Sequence, residues 1–218
     1  MGRRYRRHFI LSMAAALLGG VIQGPAHAQA TAKPTVLVVG DSMSAEYGLE
    51  RGSGWVALLE KRLSTHKPAV QVVNASVSGD TTAGGRARLA ALLRQHQPSV
   101  VVLELGGNDA LRGLPLQSSQ DNLQWMTRSA QQAGARVLLV GMQVPPNYGA
   151  RYTEQFAAMF ASVAKNNQAA LVPFLLQGIA DTANPTALFQ ADRIHPAAQA
   201  QPRMLENVWP ELRKLLPK

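Results

Sequence analysis

Short, mainly apolar runs, each five to seven residues long, recur along the chain and alternate with longer amphipathic stretches. A continuous apolar run of this length is typical of a strand that is buried on both faces of a sheet. We therefore predict five strands, over residues 35–39, 70–74, 99–105, 137–142 and 170–175.

The stretches between these strands carry apolar residues three or four positions apart, which places them on one face of a helix. This alternation predicts a parallel sheet with helices on both faces, and strand spacings of about 30 residues leave room for the crossovers. A last helix is predicted over residues 202–216, kinked or split at Pro210, which has no N–H to donate. The apolar helical faces are marked by Trp55, Leu58, Leu59 and Leu63, by Leu89, Leu92 and Leu93, by Leu123, Met126 and Ala130, and by Tyr152, Phe156, Met159, Phe160 and Val163.

Small and polar residues follow each of the first three predicted strands. The carboxyl ends of parallel strands lie at one edge of the sheet, where ligands bind. Each segment taken alone is explained by turns and helix caps, which favour these residue types. Together they also supply a hydroxyl, flexible backbone N–H groups and an amide, which are the groups that form a nucleophile and an oxyanion hole. The segments are Gly40-Asp41-Ser42-Met43-Ser44, residues 74–82 and Gly106-Gly107-Asn108-Asp109.

A serine nucleophile needs a base, and after residue 28 the chain has three histidines. His66 and His96 precede predicted strands and belong to the opposite edge of the sheet, where a helix-end role fits them better. His195 follows Asp192 by three residues, so that carboxylate can accept the imidazole N–H, fix its tautomer and stabilise the imidazolium. The alternative is that Asp192 caps a helix beside a solvent-exposed histidine.

The composition narrows the chemistry further. The 218 residues, 46% of them hydrophobic, suffice for one domain with a sizeable core. The absence of cysteine excludes disulfides, thiol nucleophiles and cysteine zinc sites, and no two histidines have metal-ligand spacing. The sequence contains no G-x-S-x-G elbow, dinucleotide-binding motif or P-loop.

Residues 1–28 differ from the rest of the chain and predict an export signal. Four arginines precede an apolar stretch, residues 9–22, that is too short to span a bilayer, and Ala26-His27-Ala28 has a cleavage-site pattern. We predict cleavage after Ala28, a single domain over residues 29–218 and a periplasmic or secreted location. A membrane anchor is the alternative, and Arg6-Arg7 leaves the twin-arginine export route open.

The formal net charge of +9 suggests a nucleic-acid partner until the charges are located. Four of these charges lie in residues 1–28, and the remaining +5 is dispersed along the chain. No basic stripe with interleaved aromatic residues occurs, so we expect no nucleic-acid partner.

Four short motifs, in this order, resemble the SGNH (GDSL-type) hydrolases. They are Gly40-Asp41-Ser42, the glycine block at Gly79, Gly-x-Asn-Asp ending at Asp109, and Asp192-x-x-His195. The match covers nearly the whole chain after residue 28. Residues 107–113, 147–152 and 192–202 make the periplasmic thioesterase I, lysophospholipase and arylesterase group the nearest resemblance. The resemblance implies a three-layer, flavodoxin-like α/β fold with about five parallel strands and no cofactor.

Carried over residue by residue, the family pattern makes Ser42 the nucleophile and His195 the general base and then acid. Asp192 would orient His195. The backbone N–H groups of Ser42 and Gly79 and the side chain of Asn108 would form the oxyanion hole, and the resemblance implies no metal.

Two positions depart from the family pattern. Met43 stands where the motif has leucine, a substitution that conserves apolar volume. Arg193 stands where close relatives often have glycine, and we expect its side chain to point to solvent rather than to the base.

The expected function is hydrolysis of acyl esters and thioesters through an acyl-enzyme intermediate. We expect apolar loop residues to border the site and to favour moderate or long acyl chains over acetylated sugars, although covering the core would explain the same residues. A monomer with transient contact to lipid is expected. The alternatives are a carbohydrate O-acetyl esterase of the same fold and a catalytically silent binding protein. The bordering residues are Leu111, Leu114, Val144 and Pro145.

Overall fold

The structure is a computed structural model that describes residues 1–2 and 33–217. The predicted export signal, residues 1–28, lies outside the described residues except for its first two. Lys33–Lys218 forms one compact unit. Within the described residues, no helix has both the length and the apolar character that crossing a membrane requires.

Five parallel strands form one sheet in the order β2-β1-β3-β4-β5. β1 and β3, at the centre, are buried along their whole length, as their continuous apolar runs predict. The predicted α/β fold with a five-stranded parallel sheet is confirmed. The strands are β1 (Thr35–Gly40), β2 (Gln71–Asn74), β3 (Val100–Glu104), β4 (Arg136–Val140) and β5 (Ala170–Val172).

The described residues contain six α-helices, and the five longer ones cover the sheet in two layers. The first and last pack against each other, while the second, fourth and fifth form a separate group on β1, β3, β4 and β5. Their buried faces carry the apolar residues that the helical spacing marked, such as Leu59 and Phe156. The helices are α1 (Trp55–Ser64), α2 (Thr82–His96), α3 (Gly107–Leu111), α4 (Leu116–Gln132), α5 (Ala150–Asn166) and α6 (Gln201–Leu212).

Most strand ends agree with the predictions to within two residues. The end of β5 and the course of the last helix differ from the predictions, and each of these places has a proline. β5 ends at Val172, three residues early, because Pro173 cannot donate to the ladder. The last helix is not split at Pro210. It continues to Leu212 and tightens into a 3₁₀ turn over Arg213–Leu215. The short helix α3 was not predicted.

The register places the polar segments after β2, β1 and β3 side by side. Val38 pairs with Asn74, and Gly40 pairs with Glu104. Beyond the paired residues, the Val77 N–H donates to the Gly40 carbonyl at 3.0 Å, which joins the loops after β2 and β1. The three segments therefore meet at one edge of the sheet, as the parallel arrangement predicts.

Candidate active site

Ser42 lies in a tight turn that begins where β1 ends. The N–H groups of Ser44 and Ala45 donate to the Asp41 carbonyl at 3.1 and 2.9 Å, so the chain turns sharply around the serine. Ser42 is half-buried, and its Oγ lies 2.9 Å from Nε2 of His195, 153 positions away in the chain. The hydroxyl is thus accessible and in hydrogen-bond contact with a potential base.

His195 is held by Asp192 within one turn of chain. The Nδ1 of His195 lies 2.6 Å from Oδ2 of Asp192. The other oxygen, Oδ1, accepts the backbone N–H groups of Ile194 and His195 at 2.9 and 3.0 Å. Asp192 is therefore not a helix cap beside a solvent-exposed histidine. The helix α6 begins only at Gln201, and the carboxylate of Asp192 contacts the imidazole of His195.

The surroundings of His195 restrict the position of its ring. The ring of Tyr47 lies over it, with centroids 4.4 Å apart. An isolated antiparallel bridge between Phe189 and Pro196 closes the base of the loop, and the Gln190 N–H donates to the His195 carbonyl at 2.8 Å. Tyr47 therefore packs on the imidazole itself, while the bridge and the Gln190 contact fix the backbone that carries it.

Hydrogen bonding keeps Asp192 ionised. The contact with the His195 side chain, followed by the backbone N–H groups of His195 and Ile194, lowers the pKa of Asp192 to about 2. A carboxylate that stays charged at neutral pH can hold the Nδ1–H tautomer, leaving Nε2 free to accept a proton from Ser42.

Arg193 lies in the left-handed region, with φ at +57°. This conformation disfavours most side chains and suits glycine, which is why a glycine at this position is easily accommodated in the same turn. Arg193 is exposed, in agreement with the expectation that it points to solvent.

Three potential hydrogen-bond donors lie on the loops around Ser42. The backbone N–H groups of Ser42 and Gly79 donate to no acceptor within the described part of the chain, and the Asn108 side chain provides an amide. Gly79 has φ at +79°, a conformation that favours glycine. Its carbonyl accepts from Nη2 of Arg112 at 2.7 Å, which fixes the orientation of the adjoining peptide.

Two buried carboxyl groups lie behind these donors, and sequence reasoning assigned no role to either. Oδ2 of Asp41 accepts from Nδ2 of Asn108 at 3.0 Å. Glu104, fully buried at the end of β3, accepts from the Ser44 hydroxyl at 2.8 Å through Oε2. A glutamate inside the apolar run 99–105 is the one signal that could have singled out Glu104.

Asp109, the last residue of the Gly-x-Asn-Asp motif, has a structural role. Its buried carboxylate accepts from the N–H and hydroxyl of Thr82, at the start of α2, and from the hydroxyl of Ser119 in α4. These contacts join α2, α3 and α4, and they hold the short helix that carries Asn108.

The four predicted substrate-binding residues lie at the same edge of the sheet, where Leu111 ends α3 and the other three lie on loops. Leu111, Leu114 and Pro145 are exposed, whereas Val144 is half-buried and packs against the core. Their contact with a substrate stays a prediction. Among the described residues, no cluster of three His, Asp or Glu side chains forms a metal site.

His66 and His96 lie at the other edge, as predicted. His96 is the last residue of α2, and His66 follows the end of α1. Neither belongs to the group around Ser42, so His195 is the histidine that the fold brings to the serine.

A sequence model of the GDSL-like lipase/acylhydrolase family matches residues 38–201, which include the Ser42 turn, the Gly79 loop, Asn108 and the His195 loop. The chain belongs to this family. The family resemblance inferred from the motifs is thereby confirmed, and with it the class of enzyme, an ester hydrolase.

Relatives in the GDSL-like family cover almost the whole chain. Esterase TesA of Pseudomonas aeruginosa is 52% identical over 204 residues, which are 94% of this chain and 100% of that protein. A crystal structure of TesA superposes with a TM-score of 0.79 at 55% identity, covering 84% of this chain and 99% of that one. The thioesterase 1/protease 1/lysophospholipase L1 of Escherichia coli is 40% identical over 188 residues, 86% of this chain and 88% of that protein.

Proposed function

We propose that the protein is a serine esterase in which Ser42, His195 and Asp192 carry out acyl transfer. The observation that carries this proposal is the continuous hydrogen-bonded series from Oγ of Ser42 through the imidazole to Asp192, at 2.9 and 2.6 Å. The geometry matches the roles of nucleophile, base and orienting carboxylate in triads on unrelated folds.

In the first step, Oγ of Ser42 attacks the carbonyl carbon of the ester while its proton passes to Nε2 of His195. The imidazolium is stabilised by the ionised Asp192. When the tetrahedral intermediate collapses, the bond to the alcohol or thiol breaks, and the leaving group takes the proton from Nε2. The acyl group remains on Ser42.

In the second step, a water molecule attacks the acyl-enzyme. His195 accepts a proton from the water and returns one to Oγ of Ser42, which releases the carboxylic acid. Both steps develop negative charge on the former carbonyl oxygen. The backbone N–H groups of Ser42 and Gly79 and the amide of Asn108 would stabilise it, and loss of one such donor typically costs about 2.7–4 kcal/mol.

For the substrate class, we propose acyl esters and thioesters with a moderate or long chain, including lysophospholipids. Two observations support this choice. Leu111 and Leu114 are exposed apolar residues, the first at the end of the Asn108 helix and the second on the loop that follows. The names of the relatives also include esterase, thioesterase and lysophospholipase. The same exposed residues support transient contact with a lipid surface.

The triad is tested with a fluorophosphonate, which labels activated serines. We expect the wild-type protein to be labelled at Ser42 with loss of activity, and Ser42→Ala to be neither labelled nor active while it keeps the wild-type unfolding transition. Thr153→Ala, which removes a half-buried hydroxyl on α5 that donates to the Gly149 carbonyl, is the control and should remain active. Appreciable hydrolysis by Ser42→Ala would overturn the proposal.

The substrate class is tested with a series of p-nitrophenyl esters from acetyl to palmitoyl. We expect kcat/KM to rise from the acetyl ester to chains of about six carbons or more, because each buried methylene contributes about 0.8 kcal/mol. A preference for the acetyl ester and for acetylated sugars would instead indicate a carbohydrate O-acetyl esterase. A wild-type protein that is neither labelled nor active would indicate a binding protein.

A further inference from the structure

Asp41 is buried beside the nucleophile but takes no part in the proposed steps. Only 2% of its surface is exposed. Its Oδ1 accepts the Met43 N–H at 3.0 Å, and its Oδ2 accepts an N–H from the side chain of Asn108, also at 3.0 Å. One carboxylate therefore joins the turn that carries Ser42 to the helix that carries the oxyanion amide.

The contact with Asp41 settles the orientation of the Asn108 amide. A side-chain amide has two N–H donors on one end and an acceptor oxygen on the other. With one N–H held by Asp41, the other remains available to an oxyanion, and the amide oxygen is kept on the far side. Without that acceptor the amide could rotate and present its oxygen, which would repel the developing negative charge.

Glu104 lies behind Asp41, and the charge of Asp41 helps to raise the pKa of Glu104. Oε2 of Glu104 lies 3.4 Å from the backbone N of Asp41, and Oε1 is buried without a partner among the described residues. Burial raises the pKa of Glu104 well above its usual range and that of Asp41 to about 6. With its pKa at about 6, Asp41 is ionised at neutral pH and can accept from two N–H groups at once.

We infer that Asp41 is a positioning residue for the oxyanion hole, which acts by holding the side-chain amide of Asn108 in its productive orientation. The inference rests on the proposed function and extends it to a group that touches no reacting atom. Preorganised donors are effective because they need no rearrangement when charge develops, so the loss of this orientation should lower kcat more than it changes KM.

The variant Asp41→Asn tests the inference at constant side-chain size. The new amide can keep the local contact to the Met43 N–H through its oxygen, but it then presents an N–H to Asn108. We expect kcat to fall by about tenfold to a hundredfold, with KM changed by less than about twofold. The folded fraction, measured by thermal unfolding, corrects kcat for any loss of stability. An unchanged kcat per folded enzyme would contradict the inference.

A double-mutant cycle shows whether Asp41 acts through Asn108. We expect Asn108→Ala to lower kcat by about 10²- to 10³-fold, the usual effect of losing one oxyanion donor. Adding Asp41→Asn to Asn108→Ala should then lower kcat by less than about threefold more. Equal effects of Asp41→Asn in the presence and absence of the Asn108 amide would overturn the inference.

NMR of the wild-type protein provides a measurement that does not depend on the folding of Asp41→Asn. The two side-chain amide protons of Asn108 are assigned from their loss in Asn108→Ala. We expect widely separated chemical shifts at neutral pH, converging as the pH falls through about 6, where Asp41 binds its proton. An ordinary separation that does not change with pH would contradict the inference.

The outcomes separate this inference from the proposed function. If the proposed function is wrong, either the wild-type protein is inactive or Ser42→Ala keeps its activity, whatever Asp41→Asn does. If only the inference is wrong, Ser42→Ala is inactive while Asp41→Asn retains the wild-type kcat.

Discussion

Asp192 illustrates how one side chain can perform two separate tasks through its two oxygens. Oδ1 accepts two backbone N–H groups and closes the turn, while Oδ2 contacts the imidazole of His195 at 2.6 Å. The first task concerns the stability of the loop, and the second concerns the tautomer of the base. Different substitutions at this position should therefore separate the two.

We predict that Asp192→Asn lowers kcat by about 10³–10⁴-fold with little loss of stability. The retained oxygen can still accept the two backbone N–H groups, but the amide N–H then faces Nδ1. His195 is forced into the Nε2–H tautomer, which cannot accept the proton of Ser42. Hydrolysis of a p-nitrophenyl ester and a thermal unfolding curve measure the two effects.

The matched variant is Asp192→Ala, which removes both the contact with the imidazole and the acceptor of the two backbone N–H groups. It should be as inactive as Asp192→Asn and should also unfold at a lower temperature, because two backbone N–H groups lose their acceptor. A variant Asp192→Asn that kept more than a tenth of the wild-type kcat would show that the tautomer is fixed by something other than this carboxylate.

Glu104 gives a prediction for stability as a function of pH. Its pKa is raised in the folded protein, chiefly by burial and next by the charge of Asp41. A carboxyl of this kind stabilises the folded state while it is protonated, and the contribution is lost as the pH rises through its folded pKa. Glu104→Gln removes this titration and keeps an acceptor for the Ser44 hydroxyl. The free energy of unfolding of Glu104→Gln, relative to wild type, should therefore increase as the pH rises.

Urea unfolding of both proteins at pH 5, 7 and 9 measures this difference. A pH-independent loss of stability in Glu104→Gln is expected in addition to this pH-dependent difference. The glutamine places an amide N–H where Oε1 of Glu104 already lacks a partner among the described residues. A difference in free energy that did not change over this pH range would mean that folding does not raise the pKa of Glu104.

At the scale of the elements, the loops that follow the strands form an exposed apolar rim. We define the rim as Tyr47, Val77, Leu111, Leu114, Tyr148 and Ile194, which are 36–56% exposed. Each follows a strand at its carboxyl end, so the rim lies at the same edge as Ser42. Among the described residues from 33 onwards, the remaining exposed large hydrophobic side chain is Trp125 on α4, with Arg86 over its ring.

We predict that Leu111→Ser combined with Ile194→Ser lowers kcat/KM for a decanoyl ester by about tenfold. The acetyl ester should be affected by less than about twofold, because it is too short to reach the rim. Binding of the double variant to phospholipid vesicles, measured by co-sedimentation in the Ser42→Ala background, should also weaken.

Trp125→Ser is the matched control, since Trp125 is exposed to the same degree as Leu114 and Tyr148, 36%, but lies on α4. It should leave both the decanoyl ester and the vesicles unaffected. Equal losses for acetyl and decanoyl esters in the rim variant would indicate a disturbed site rather than a lost acyl contact.

At the scale of the whole molecule, we propose that the chain is exported and processed. Residues 1–28 carry four of the net positive charges of the full chain, while the remaining +5 is dispersed over residues 29–218. A separate basic segment before an apolar stretch is typical of an export signal. We therefore interpret the four arginines as part of an export signal rather than of a binding surface.

We predict that the full chain, expressed in a Gram-negative host, yields a periplasmic protein whose first residue is Gln29. Intact-mass spectrometry of the periplasmic fraction measures this directly. Ala28→Phe should block cleavage, because the position before the cut requires a small side chain. An intact N-terminus in the membrane fraction of the unmutated protein would favour the alternative of a membrane anchor.

The sequence alone was sufficient for the architecture and for the main chemistry. Apolar runs of strand length, alternating with amphipathic helical stretches, favour strands buried on both faces and therefore a parallel sheet covered by helices. With no cysteine and two of the three histidines placed at the other edge, a serine and His195 remained as the candidate nucleophile and base, and the family resemblance indicated Ser42 among the serines. These conclusions depend on residue types and on short spacings, both of which the sequence displays directly.

Only the tertiary structure decided how these parts are joined. The strand order β2-β1-β3 brings Gly79, Ser42 and Asn108 together, and local periodicity does not specify which strands become neighbours. The contacts of Asp41 with Asn108 and of Arg112 with Gly79 join residues 67 and 33 positions apart. Such contacts depend on the packing of whole elements, because a buried polar group can take its partner from any segment that the fold brings within reach.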